Sequence, residues 1–131
     1  MRKWIVGFVL VGIMIFSVNV LTFTSPEYDV VFALVTAEKV MKTDESVRNV
    51  ATSYDGKGLI KFRIVVKEKI DNWEAKRLVF TFMNEIENSA DVRKSGEFWT
   101  KFALEFDIID DTQVLFQGIN NKENGRVYWI F

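Results

Sequence analysis

The chain has 131 residues, 17 basic and 18 acidic side chains for a formal charge of −1, 49% hydrophobic residues, and neither cysteine nor histidine. Without cysteine there is no disulfide framework and no thiol nucleophile; without histidine there is no Ser-His-Asp triad, no ordinary neutral-pH base and none of the common zinc sites. A balanced, slightly acidic charge gives no overall attraction for nucleic acid or anionic lipid.

Arg2 and Lys3 precede an uncharged, mostly apolar run over residues 4–23, whose polar members Ser17, Asn19 and Thr22 cluster toward its far end. At a helical rise of about 1.5 Å per residue the run reaches about 30 Å, the thickness of a bilayer's hydrocarbon core. The basic flank before it, with Glu27 and Asp29 after it, predicts a cytoplasmic N-terminus and export of the remainder. A cleaved signal peptide is the alternative. Its apolar core is usually shorter, about 7–15 residues, and Ser17-Val18-Asn19, Thr22-Phe23-Thr24 and the bond before Pro26 make poor cleavage sites. The expected organisation is therefore an anchor over 1–24 and a single small extracytoplasmic domain over 25–131. Absence of cysteine and of any Asn-x-Ser/Thr sequon in an exported chain fits a bacterial envelope.

Ser25-Pro26-Glu27 reads as a helix start, with serine as cap and proline at the first helical position. The spacing of Val31, Leu34, Val35, Val40, Met41, Val47 and Val50 predicts a helix from 26 to about 52, with Thr43-Asp44 as its one candidate break. Tyr54 to Gly58 is a turn. Ile60, Phe62, Ile64 and Val66 then alternate with Lys61, Arg63, Val65 and Lys67, the period-two pattern of a strand with one buried face. Asp71 with Glu74 three residues on resembles a capping box, and Ala75, Leu78, Val79, Phe82, Met83 and Ile86 form the stripe of a helix ending near Ala90. After a loop over 92–97, the alternation of Phe98, Phe102, Leu104, Phe106 and Ile108 predicts a second strand. Asp110-Asp111-Thr112 is a hairpin turn, 113–119 a third strand, 120–125 a turn and 126–131 a last strand.

These elements predict an α+β two-layer sandwich: one or two helices on a mainly antiparallel sheet of about four strands, in the order α-β-α-β-β-β. The last three strands form an antiparallel meander, since tight turns cannot cross over.

Function is expected on the uncovered sheet face. Lys61, Arg63, Lys67, Trp99, Lys101 and Tyr128 are the candidate binding residues, basic groups beside aromatics facing an envelope protein or an anionic envelope polymer. The plainer reading of the same face is cross-strand ion pairing with Glu105 and Asp107, worth a few tenths of a kcal/mol per pair. The glycine-aromatic signature of nucleic-acid-binding sheets is missing. Gly56-Lys57-Gly58 is no P-loop, because it lacks the upstream glycine and the Ser or Thr after lysine and leads into a strand. No catalytic, cofactor or metal residue is assigned. The expected function is a membrane-tethered, non-catalytic binding or assembly module; the rivals are a secreted inhibitor or ligand-binding protein of the same fold and a hydrolase using carboxylates alone.

Overall fold

The structure, a computed structural model, describes residues 28–91 and 96–130. The expected anchor over 4–23 and the Ser25-Pro26 helix start lie outside the described residues, as does most of the loop expected over 92–97. Among the described residues no helix is long and apolar enough to cross a membrane.

Helix α1 runs Val30–Met41 and is capped by Asp29, whose Oδ1 accepts from the Phe32 amide at 3.2 Å. The helix expected as far as residue 52 stops here. Backbone bonds from Thr43 to Val40 and from Asp44 to Met41 tighten its end, the Asp44 carboxylate accepts from the Ser46 amide, and the chain turns into strand β1, Val47–Tyr54. The break therefore falls at the Thr43-Asp44 position. The misreading of 47–52 has a physical cause. The register of β1 against β2 slips between Val47 and Asn49, so the bulge places the buried Val47 and Val50 three residues apart and imitates a helical stripe.

Gly56, at φ +83°, turns the chain into β2, Leu59–Val66, and Asp55 Oδ1 accepts from the amides of Lys57, Gly58 and Leu59. The expected alternation holds: Ile60, Phe62, Ile64 and Val66 are buried. Helix α2, Asn72–Ala90, starts at Asp71, whose Oδ1 accepts from the Glu74 amide at 2.8 Å. The Glu74 side chain turns instead to Arg77 and the Ser46 hydroxyl, so half of the capping box forms. Phe82 stacks on Phe62 with centroids 4.3 Å apart, fastening α2 to the sheet.

Residues 98–101 are not strand. They form the one-turn helix α3, Phe98–Lys101, and β3 begins at Ala103 and ends at Ile109. Phe98 and Phe102 share a side at a spacing of four, their rings stacked at 4.6 Å, which fits a helical turn as well as an alternation. Asp110 Oδ1 accepts from the amides of Thr112 and Gln113 in the expected hairpin, β4 covers Val114–Asn120, and β5 covers Val127–Ile130.

Among the described residues the sheet has five strands in the order β1-β2-β3-β4-β5. The β3-β4-β5 meander is antiparallel, as expected, and so is the β1-β2 hairpin, but β2 pairs with β3 in parallel. The sheet is therefore mixed, with one strand more than expected, and α2 is the crossover that a parallel pair requires. Helices α1 and α2 cover one sheet face. They are antiparallel to each other: Tyr28, before α1, bridges Asp91, after α2, whereas Asp44, after α1, meets Arg77 near the start of α2 at 2.9 Å.

Candidate functional site

The uncovered face of the sheet is built by strand register. Reading across the strands, Ser53, Lys61, Glu105, Ile119 and Tyr128 stand in one row, and Ala51, Arg63, Asp107, Gln117 and Ile130 in the next. Period-two alternation sends their side chains to the same side, away from the helices. Over β2–β5 the two rows border a shallow concavity of about 500 Å³, whose lining includes Lys61, Arg63, Glu105, Asp107, Ile119 and Ile130.

Charge on this face is paired across the parallel β2-β3 ladder. Arg63 donates through Nε and Nη2 to the two carboxylate oxygens of Asp107, both at 2.7 Å, a bidentate fork between side chains only 29% and 20% exposed. The Asp107 carboxylate holds the Arg63 guanidinium above its usual pKa. Lys61 Nζ lies 3.5 Å from Glu105 Oε2, with both groups more open to solvent. The block is electrically self-contained. Beside it, on β4 and β5, Ile119, Tyr128 and Ile130 are 41%, 53% and 45% exposed, an apolar patch at the end of the sheet. The Tyr128 hydroxyl accepts from Asn121 Nδ2 at 3.3 Å.

Of the six residues singled out in the sequence, the structure brings Lys61, Arg63 and Tyr128 onto this face. Lys67 follows the last residue of β2, and its amide donates to the Ser46 carbonyl. Trp99 is buried in α3, 7% exposed, with Nε1 donating to the Met83 carbonyl at 3.2 Å and its ring edge-on to Phe98. It is a core residue because the α3 turn rotates it inward. Lys101 is exposed on the same helical turn and belongs to neither row. Asn120 fixes this corner: its side chain accepts from the Leu104 amide and donates to the carbonyls of Trp99 and Phe102.

Ile119 and Ile130 were not among the sequence candidates. The available signal was the alternation of β4 and β5, which puts Ile119 opposite Tyr128 and Ile130 opposite Gln117. Among the described residues no group of three acidic side chains gathers as metal ligands would. Glu105 and Asp107 are each engaged by a cation, and the Asp55 and Asp110 carboxylates cap turns. The face offers hydrogen-bonding edges, two neutralised charge pairs and an apolar patch. No family model matches the chain, and neither a curated protein nor a solved structure matches it.

Proposed function

We propose that the chain is a non-catalytic binding module, tethered to a bacterial inner membrane through residues 4–23, whose domain lies outside the cytoplasm and offers its open sheet face to a protein partner. The observation that carries the binding reading is the exposed Ile119-Tyr128-Ile130 patch beside the self-neutralised Lys61-Glu105 and Arg63-Asp107 pairs. An exposed apolar patch bordered by charge-balanced polar residues has the mixed composition of a protein–protein contact. An anionic polymer would need unpaired positive charge here, and Lys61 and Arg63 are already spoken for. A hydrolase using carboxylates alone would need one carboxyl held protonated in an enclosed site, whereas Glu105 and Asp107 lie in an open concavity beside cations.

A photo-crosslinking residue placed at Ile119 or Ile130 in living cells tests the reading. The expected result is a discrete adduct that disappears when Tyr128→Asp is added, while the same residue at Asn84, on the helix layer, does not give that adduct. Adducts of the same pattern from both faces, or none from the sheet face, would remove the proposed contact.

A further inference from the structure

Among the described residues nine large apolar side chains stand exposed, and they divide between the two faces of the sandwich. Val114, Ile119, Tyr128 and Ile130 belong to the strands, whereas Phe32 (58% exposed), Val35 (46%) and Val40 come from α1 and Trp73 (72%) and Phe80 (49%) from α2. At about 100° per residue, Phe32, Val35 and Lys39 point opposite the buried Ala33, Leu34, Ala37 and Met41. Trp73, Phe80 and Asn84 likewise point away from Leu78, Val79, Phe82 and Ile86. Lys39, Lys42 and Lys76 are exposed among them. The carboxylates within the two helices, Glu38, Glu74, Glu85 and Glu87, are all half-buried, and Glu74 is held by Arg77. Asp29, Glu45, Glu68 and Asp71, the exposed acids in the segments flanking α1 and α2, sit outside the helices, Asp29 and Asp71 as their N-caps.

Exposed aromatic and aliphatic groups, interspersed lysines and acids drawn back from the surface are the composition of a face that rests in a lipid headgroup layer. There the rings reach the acyl boundary and the lysine stems carry their charges up to phosphate. We infer that the outer surface of the α1-α2 layer docks on an anionic phospholipid bilayer. The chain's own length supports this occupant. Residues 24–29 alone separate the apolar run from α1, and six extended residues span at most about 20 Å, so a run lodged in the bilayer holds α1 beside its surface. The inference rests on the membrane reading above and adds an orientation: helices down on lipid, open sheet face outward. The near-neutral charge of the whole chain conceals it, because the lysines of this face are balanced by acids elsewhere.

The absence of cysteine gives a clean test. Full-length protein carrying Phe80→Cys, labelled with an environment-sensitive fluorophore, is reconstituted into phosphatidylcholine–phosphatidylglycerol vesicles containing a spin-labelled lipid. Tyr128→Cys reports the opposite face, and Phe32→Cys is an independent reporter should the position-80 variant misfold. Docking predicts a blue shift and quenching of roughly twofold or more at positions 80 and 32. Position 128 stays unquenched, and the effect is lost in phosphatidylcholine alone and in the Lys39→Glu/Lys42→Glu/Lys76→Glu variant. Equal quenching on both faces, or none at 80 and 32, overturns it. So does an unquenched position 80 that instead crosslinks to its equivalent in a second molecule. Alkaline carbonate extraction separates the two ideas. Protein that resists extraction but shows no quenching at 80 keeps the anchor and sinks the docking face; protein that is extracted yet quenched at 80 on vesicles keeps the docking face and sinks the anchor.

Discussion

Gly118 stands on β4 opposite Phe106, and a Cβ built there would lie 2.6 Å from the Phe106 ring and 2.6 Å from the Tyr128 carbonyl oxygen. The ring already packs against Phe62 and Trp129, and the carbonyl belongs to the neighbouring strand. Gly118→Ala should therefore cost about 2 kcal/mol in urea unfolding, and a loss below a few tenths would show that β5 yields freely. The two ion pairs of the open face should also separate in strength. The bidentate, largely screened-off Arg63-Asp107 pair should show a coupling of about 1 kcal/mol in a double-mutant cycle, and the more exposed Lys61-Glu105 pair no more than about 0.3 kcal/mol. Equal couplings would mean that solvent reaches both alike. At this scale the sequence was partly legible. Alternation correctly placed Lys61, Arg63, Glu105 and Asp107 on one face, but which cation meets which anion depends on β2 and β3 being parallel and in register, and no local pattern carries that information.

At the scale of elements, opposite pKa shifts meet where α1 turns into β1. Burial pushes the Glu38 carboxyl up, against smaller opposing effects of Lys42 and a hydrogen bond from Thr52. The hydrogen bond from Arg77 holds Asp44 below the usual carboxylate range, and Asp44 and Glu74 together hold the Arg77 guanidinium above its own. The signs are opposite. A carboxyl raised by folding burdens the native state at neutral pH, and the burden lifts as pH falls through its folded pKa, vanishing below the unfolded value of about 4.3. Glu38→Gln should therefore raise Tm at pH 7, with the gain shrinking to nothing below about pH 4. Asp44→Asn should lower Tm at pH 7, because a depressed carboxyl stabilises above the unfolded value of about 3.9 and loses that contribution as pH falls through its folded pKa. Thermal melts of both variants from pH 3 to 7 check the pair, and parallel pH profiles would contradict the assignment. The elements misread from sequence, β1 and α3, share a cause. A bulge in one and a four-residue turn in the other make the spacing of apolar residues ambiguous between helix and strand, and tertiary pairing resolves it.

Across the whole molecule, the two layers give the chain two unlike surfaces: a lysine-bearing apolar helix face and a charge-balanced sheet face. The tether proposed for residues 4–23 predicts that protein tagged at its C-terminus and expressed in a bacterial host keeps its full-length mass, sediments with membranes through a high-salt wash, and exposes the tag outside the cytoplasm. A soluble product lacking roughly the first 25 residues would replace the anchor with a cleaved signal and make the secreted ligand-binding reading the leading one. The strand order completes the arrangement. Because β1-β2 attaches through a parallel contact to the edge of the meander, β5 is left as the opposite edge, and Ile119, Tyr128 and Ile130 gather there on the open face.

What this sequence determined by itself is whatever depends on near neighbours along the chain: the β2 alternation, the α2 stripe and its Asp71 cap, the hairpin at Asp110, and an antiparallel meander that short turns impose. The α+β class follows from those parts. Only the tertiary structure decided the fifth strand, the parallel β2-β3 pairing, the burial of Trp99 and the company kept by Tyr128. The β2-β3 pairing joins residues more than 40 positions apart, and the other three turn on ladder register and core packing, whereas the apolar periodicity of a single segment is the same whichever strand lies beside it.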